Sequence, residues 1–152
     1  MKLAEALVLR ADSQKKIAQL KQRLDRVVKV QEGETPAEDP LVLLAEMKMT
    51  LDVQTVWIRR INKTNALTPF DADHSISDAL AERDQLMQRR KLLSDTLEQA
   101  SIRHERFSRS EVKFQRTIDV TGIQAEIDEI SRTYREMDFK IQEMNWKTDL
   151  LD

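Results

Sequence analysis

The 152-residue sequence predicts a mainly α fold: elongated antiparallel helical hairpins, four long helices in a coiled-coil-like bundle, with a small β-ribbon between helices three and four. Three observations support this. Backbone breakers are rare, with two glycines and three prolines. Charged residues make up 34% of the chain and aromatics 5%, a balance typical of long helices. Apolar residues recur at three- and four-residue spacing through four segments, and alternate with polar ones through one longer stretch, residues 111–120.

The first helix is expected from about Lys2 to Val28. Leu3, Ala6, Ile17, Leu20, Leu24 and Val27 form its stripe, and Arg10 and Ser13 occupy seam positions. Gly33 and Pro36 then break the chain. Asp39 as N-cap and Pro40 at the first helical position open the second helix. It carries Leu44, Met47, Leu51, Ile58 and Ile61 on one stripe and ends near Asn65. Pro69 excludes helix from the following loop. Ser75 and Asp78 have the spacing of a capping box with Asp in place of Glu, opening a third helix that reaches about Phe107. Thr121 and Gln124 make a second box, and Ile123, Ile127, Ile130, Tyr134, Met137, Ile141 and Met144 form the most regular stripe in the chain. Segments of roughly 25–30 residues would each be about 40 Å long. The length is that of a single domain, residues 1–152.

Between helices three and four, Val112, Phe114, Ile118 and Val120 alternate with Glu111, Lys113, Gln115, Thr117 and Asp119, the pattern of a half-buried strand. The segment VVKVQE, residues 27–32, is the expected partner, and the longer strand would leave an edge free. A second apolar line on helix two (Met49, Val53, Val56, Trp57) and another on helix four (Phe139, Trp146, Leu150) imply neighbours on two sides. Both lines could be used within one four-helix core. The other reading is a homo-oligomer whose interface draws on Val112, Phe114, Ile118, Val120, Trp57, Phe139 and Trp146.

Arg10, Arg83 and Arg90 stand where a seam should be apolar, with Glu5, Asp12, Asp84 and Glu136 as possible partners. They either snorkel or fix register by ion pairs, or they line a polar ligand channel.

The chemistry-bearing residues are few. No cysteine is present, which excludes disulfides, thiolate catalysis and Cys-type zinc sites and suits a reducing cytoplasm. The stretch MKLAEALVLRADSQKK lacks a signal peptide's apolar core, and no apolar run approaches the roughly 20 residues of a membrane span. A cytoplasmic protein is expected. No glycine-rich phosphate loop, Glu-x-x-His pair or nucleophile context appears, so neither a cofactor nor an enzyme is expected. The nearest approach to a metal cluster is DADH, with Asp71, Asp73 and His74. Arg103, Arg106 and Arg109, interleaved with Phe107 and Phe114, could contact single-stranded nucleic acid; the net charge of −2 and Glu105 and Glu111 oppose this.

The segments KLAEALVLRAD, VQEGETPAEDP, RINKTNALT, RFSRSEVKF and EMNWKTDL, in this order, resemble the bacterial septicolysin-like family of small helical proteins. The resemblance covers essentially the whole chain. It implies a helical hairpin-type fold assembled into an oligomer, a hexamer, and its name implies a pore-forming cytolysin. It transfers no catalytic or ligand residue. The leading expectation is a non-enzymatic, cytosolic homo-oligomer, with membrane activity and nucleic-acid binding as alternatives.

Overall fold

The computed structural model of the chain describes residues 1–101 and 112–152. These form four helices: α1 (Leu3–Val27), α2 (Pro40–Leu67), α3 (Ile76–Gln99) and α4 (Val120–Lys147). The all-α class is as expected, and the described residues form two compact units. One unit comprises Met1–Ser77 with Gln142–Asp152, and the other Asp78–Ile141.

In the first unit α1 and α2 form an antiparallel hairpin. Asp39 caps α2 as expected, its side chain accepting from the Leu41 amide at 2.9 Å, with Pro40 where a missing N–H costs nothing. Leu20, Val27 and Leu43 form a buried cluster, with Leu24 and Met47 against it. Each such side chain contributes about 1.5–3 kcal/mol by leaving water. Lys16 reaches Glu46 at 2.8 Å, and Arg23 pairs with Glu38 beyond the α1–α2 turn. Gly33 turns the chain there at φ +86°, a left-handed value that side chains disfavour.

The inward stripe of α2 is displaced from the expected one. Leu43, Thr50, Ile61 and Thr64 are buried, with Met47, Gln54 and Trp57 half-buried between them, whereas Leu51 is exposed. This line keeps three- and four-residue spacing but runs through polar residues. The hydroxyls of Thr50 and Ser13 satisfy themselves on carbonyls of their own helices, Glu46 and Leu9, at 2.8 and 2.9 Å. Arg10 is exposed. A coiled-coil seam needs apolar residues at these positions, so the coiled-coil expectation is not supported.

Chain segments distant in sequence close the other end of this unit. Leu3 N–H donates to the Thr148 carbonyl and Leu150 N–H to the Met1 carbonyl, both at 2.9 Å. Lys2 Nζ reaches Asp149 at 2.8 Å and the Lys147 carbonyl at 3.0 Å, where a cation suits the C-terminus of α4. Thr64, fully buried, donates to the Arg60 carbonyl and accepts from the Leu151 amide at 3.0 Å.

In the second unit, the Ile127, Ile130 and Ile141 positions of the α4 stripe are buried, as its regularity anticipates. The cap of α4 differs from expectation. Asp119, not Thr121, takes that role: its carboxylate accepts from the Gly122 amide at 3.1 Å and its carbonyl from Ile123 at 3.0 Å. A Cβ at Gly122 would stand 2.4 Å from that carboxylate, so Gly122 leaves room for the cap.

The expected β-ribbon is absent from the described residues. Residues 112–117 adopt no regular structure and Val120 opens α4. The supposed partner is unavailable, because Val27 ends α1, Val28 is its C-cap and the chain turns at Gly33. Alternation alone does not make a strand without a facing backbone edge. The portion of helix three expected beyond Ser101 falls on 102–111, outside the described residues.

Replacing Thr64 by Val keeps the shape and leaves the Leu151 amide without its acceptor. Thermal unfolding should show a loss of about 1–3 kcal/mol, and hydrogen exchange should accelerate at Leu151, while Thr64→Ser retains the bond and most of the stability.

Candidate functional site

Helix α2 presents a continuous apolar line to water. Val42, Met49, Val53 and Val56 are exposed by 63, 68, 50 and 52%. At 100° per residue they fall within about 60° of one another and about 100° round the helix from the buried seam. Lys48, Asp52 and Arg59 border the line on its far side, and none holds an ion pair among the described residues. Near the C-terminal end, Arg60 lies over the Trp57 ring at 5.8 Å and pairs with Asp152. Val56, Arg59, Arg60 and Asp152 line an open depression of about 320 Å³.

The second unit holds a smaller groove between α3 and α4. Arg83 meets Asp138 at 2.8 Å and Asp84 at 3.5 Å, and its Nε is buried without a hydrogen-bond partner. Arg89 meets Glu126 at 2.6 Å. Between these bridges, Met87, Arg90, Ser131, Tyr134 and Arg135 line about 200 Å³. Sequence reasoning singled out Arg83 and Arg90, read Tyr134 only as a member of the α4 apolar stripe, and did not name Arg135. The helical register set by Arg83 and Asp138 is the signal that groups them. Of the proposed seam arginines, Arg83 pairs across helices, whereas Arg10 and Arg90 are exposed.

The expected interface residues fall on several elements of the two units. Val112 and Phe114 are exposed in irregular chain, Ile118 is half-buried, and Val120 is the first residue of α4. Trp57 belongs to the inward seam of α2 and is half-buried, not on the outward line. Phe139 and Trp146 are exposed, whereas Leu150, expected beside them, is buried. Arg103, Arg106 and Arg109 lie outside the described residues. In the DADH loop, Asp71 Oδ1 accepts from the Asp73 and His74 amides at 2.9 Å and contacts His74 Nδ1 at 3.0 Å. The carboxylate therefore staples its own turn, and no group of three potential ligands able to hold a metal occurs among the described residues.

The displaced pKa values follow the ion pairs. Arg23 lowers Glu38, Lys16 lowers Glu46 and Lys2 lowers Asp149, each chiefly through a side-chain hydrogen bond. The Asp73 amide, then His74, lowers Asp71.

Compared with known proteins, the chain matches a family of unknown function, DUF6847, over residues 10–150. It is similar to a functionally unknown conserved protein from Corynebacterium diphtheriae of known crystal structure. Identity is 41%, the match covers 99% of each chain, and the TM-score is 0.92. No curated protein matches. These findings overturn the septicolysin resemblance, and the hexamer and pore-forming activity implied by that name lose their basis. No helix among the described residues is long and apolar enough to cross a membrane.

Because Glu38, Glu46, Asp71 and Asp149 all have folded pKa values below their unfolded ones, their stabilisation is complete above the unfolded pKa and is lost as pH falls through the folded one. The melting temperature should stay level near neutrality and fall as the pH drops through about 4. Thermal scans at low and high salt check this, the fall being shallower in high salt.

Proposed function

We propose that the chain, which belongs to the family of unknown function DUF6847, is a non-enzymatic helical protein that acts through self-association, α2 of one copy lying antiparallel on α2 of another. The apolar line of Val42, Met49, Val53 and Val56 carries this reading. It extends about 21 Å along the helix, and such a line left in water favours association.

The bordering charges favour a second copy of this chain as the partner. A two-fold axis perpendicular to both helices brings the same flank of each into contact. Lys48 of one copy then faces Asp52 of the other, twice, around a centre near Met49 and Val53. Within their own helix the two residues are not paired, although the same Lys-to-Asp i,i+4 spacing forms ion pairs at Lys21–Asp25 and Lys91–Asp95.

The charge states support a non-enzymatic role. The displaced carboxyl groups are exposed ion-pair or turn members shifted toward their charged form. A catalytic general acid or base is more often tuned by burial, toward neutrality.

Sedimentation equilibrium tests the proposal. The natural chain should self-associate reversibly, and Met49→Glu with Val53→Lys should make it monomeric with its helix content intact. Lys48→Glu should weaken association about tenfold by turning two attractions into repulsions, and adding Asp52→Lys should restore it. A natural chain that stays monomeric at every concentration, or double exchange that fails to restore what the single one lost, overturns the reading.

A further inference from the structure

We propose that the α3–α4 groove of the second unit binds a small, doubly charged oxyanion of the phosphate-monoester class. The proposal stands apart from self-association and rests on how the cations of this unit are distributed. Arg83, Arg89, Lys91 and Arg132 hold Asp138, Glu126, Asp95 and Glu129 at 2.6–2.8 Å. Arg90 and Arg135 hold no carboxylate among the described residues, and both line the same groove. Two guanidiniums on one concave surface, neither holding a carboxylate among the described residues, repel each other, and an anion bound to both removes that repulsion. Guanidinium also binds phosphate oxygens in a planar, two-bond geometry that ammonium cannot match.

The rest of the lining narrows the ligand. Tyr134 is half-buried, and its phenol, without a partner among the described residues, can donate to an anionic oxygen. The Ser131 hydroxyl already donates to the Ile127 carbonyl at 2.8 Å, so it presents lone pairs and suits a ligand hydroxyl or amine. Met87 supplies an apolar wall. Two cations match the near-double charge of a phosphate monoester at neutral pH better than a single carboxylate. At about 200 Å³ the groove is smaller than the roughly 300–1,000 Å³ of drug-sized ligand sites, and it suits a phosphate with a short organic body.

The test is titration calorimetry of the full chain with inorganic phosphate and with glycerol 3-phosphate, in chloride buffer at fixed ionic strength. NMR of the arginine Nε groups runs in parallel. Both probes should bind and shift the Arg90 and Arg135 resonances. Arg90→Gln and Arg135→Gln should each weaken binding about tenfold or more, and the double variant should abolish it. Arg26→Gln, on α1, should bind as the natural chain does. Equal melting temperatures in chloride establish that the variants are folded. A double variant that binds as tightly as the natural chain, or a natural chain giving neither heat nor resonance shifts with both probes, overturns the proposal.

Discussion

A helix in a two-helix hairpin can bury one stripe, and α2 carries apolar side chains on two. The chain places the more polar stripe inside. Thr50, Gln54 and Thr64 share the seam with Leu43, Met47, Trp57 and Ile61, while Val42, Met49, Val53 and Val56 face water. The cost of burying threonines is small because each hydroxyl has an acceptor one turn back, at the Glu46 and Arg60 carbonyls. Thr64 also accepts from the Leu151 amide, which apolar residues cannot do. The polar seam therefore ties the Gln142–Asp152 segment to α2 within the first unit, and it frees the aliphatic residues for an outward face.

How far the sequence was legible follows from the range of the interactions concerned. Local signals read correctly: Asp39 and Pro40 bound α2, and the isoleucines of α4 mark its buried face. The errors arose where a local pattern had two physical readings. Leu44 and Leu51 looked like seam residues, yet Leu43 and Thr50, one position away, are the buried ones, a rotation that apolarity could not reveal. Thr121 has cap chemistry, but Asp119 reached the free amides first because Gly122 admits its carboxylate. Val112 and Phe114 alternate like a strand and lack a facing edge. The α3–α4 groove was half legible: Arg90 stood out as a misplaced charge, while Arg135 and Tyr134 acquire meaning only through the inter-helix register.

The comparisons bear on fold and descent. A 41% identical protein with a TM-score of 0.92 shares the whole architecture, and both it and the matched family are without assigned activity. Fold does not imply function, so any activity has to be argued from sites on this chain. The failed septicolysin resemblance shows the risk of the opposite course, since a pore-forming role would have entered through a name and not through any residue.

Charge pairing offers a more selective guide to such sites than charge count. With 25 basic and 27 acidic residues, the chain has enough carboxylates to neutralise every lysine and arginine. On exposed helices an i,i+3 or i,i+4 neighbour is usually within reach, as Lys21–Asp25, Lys91–Asp95 and Lys147–Glu143 illustrate. A basic residue left unmatched amid that abundance is therefore informative by its position. Lys48 has Asp52 within reach along its helix and does not take it, which leaves both charges available across an interface. Arg90 and Arg135 have no acidic residue three or four places away on their own helices except Asp138, and that carboxylate is committed to Arg83. The second unit thus commits Asp138 to the half-buried Arg83 guanidinium, and among the described residues the groove beside it keeps two arginines with no paired carboxylate, which is the feature the anion proposal rests on.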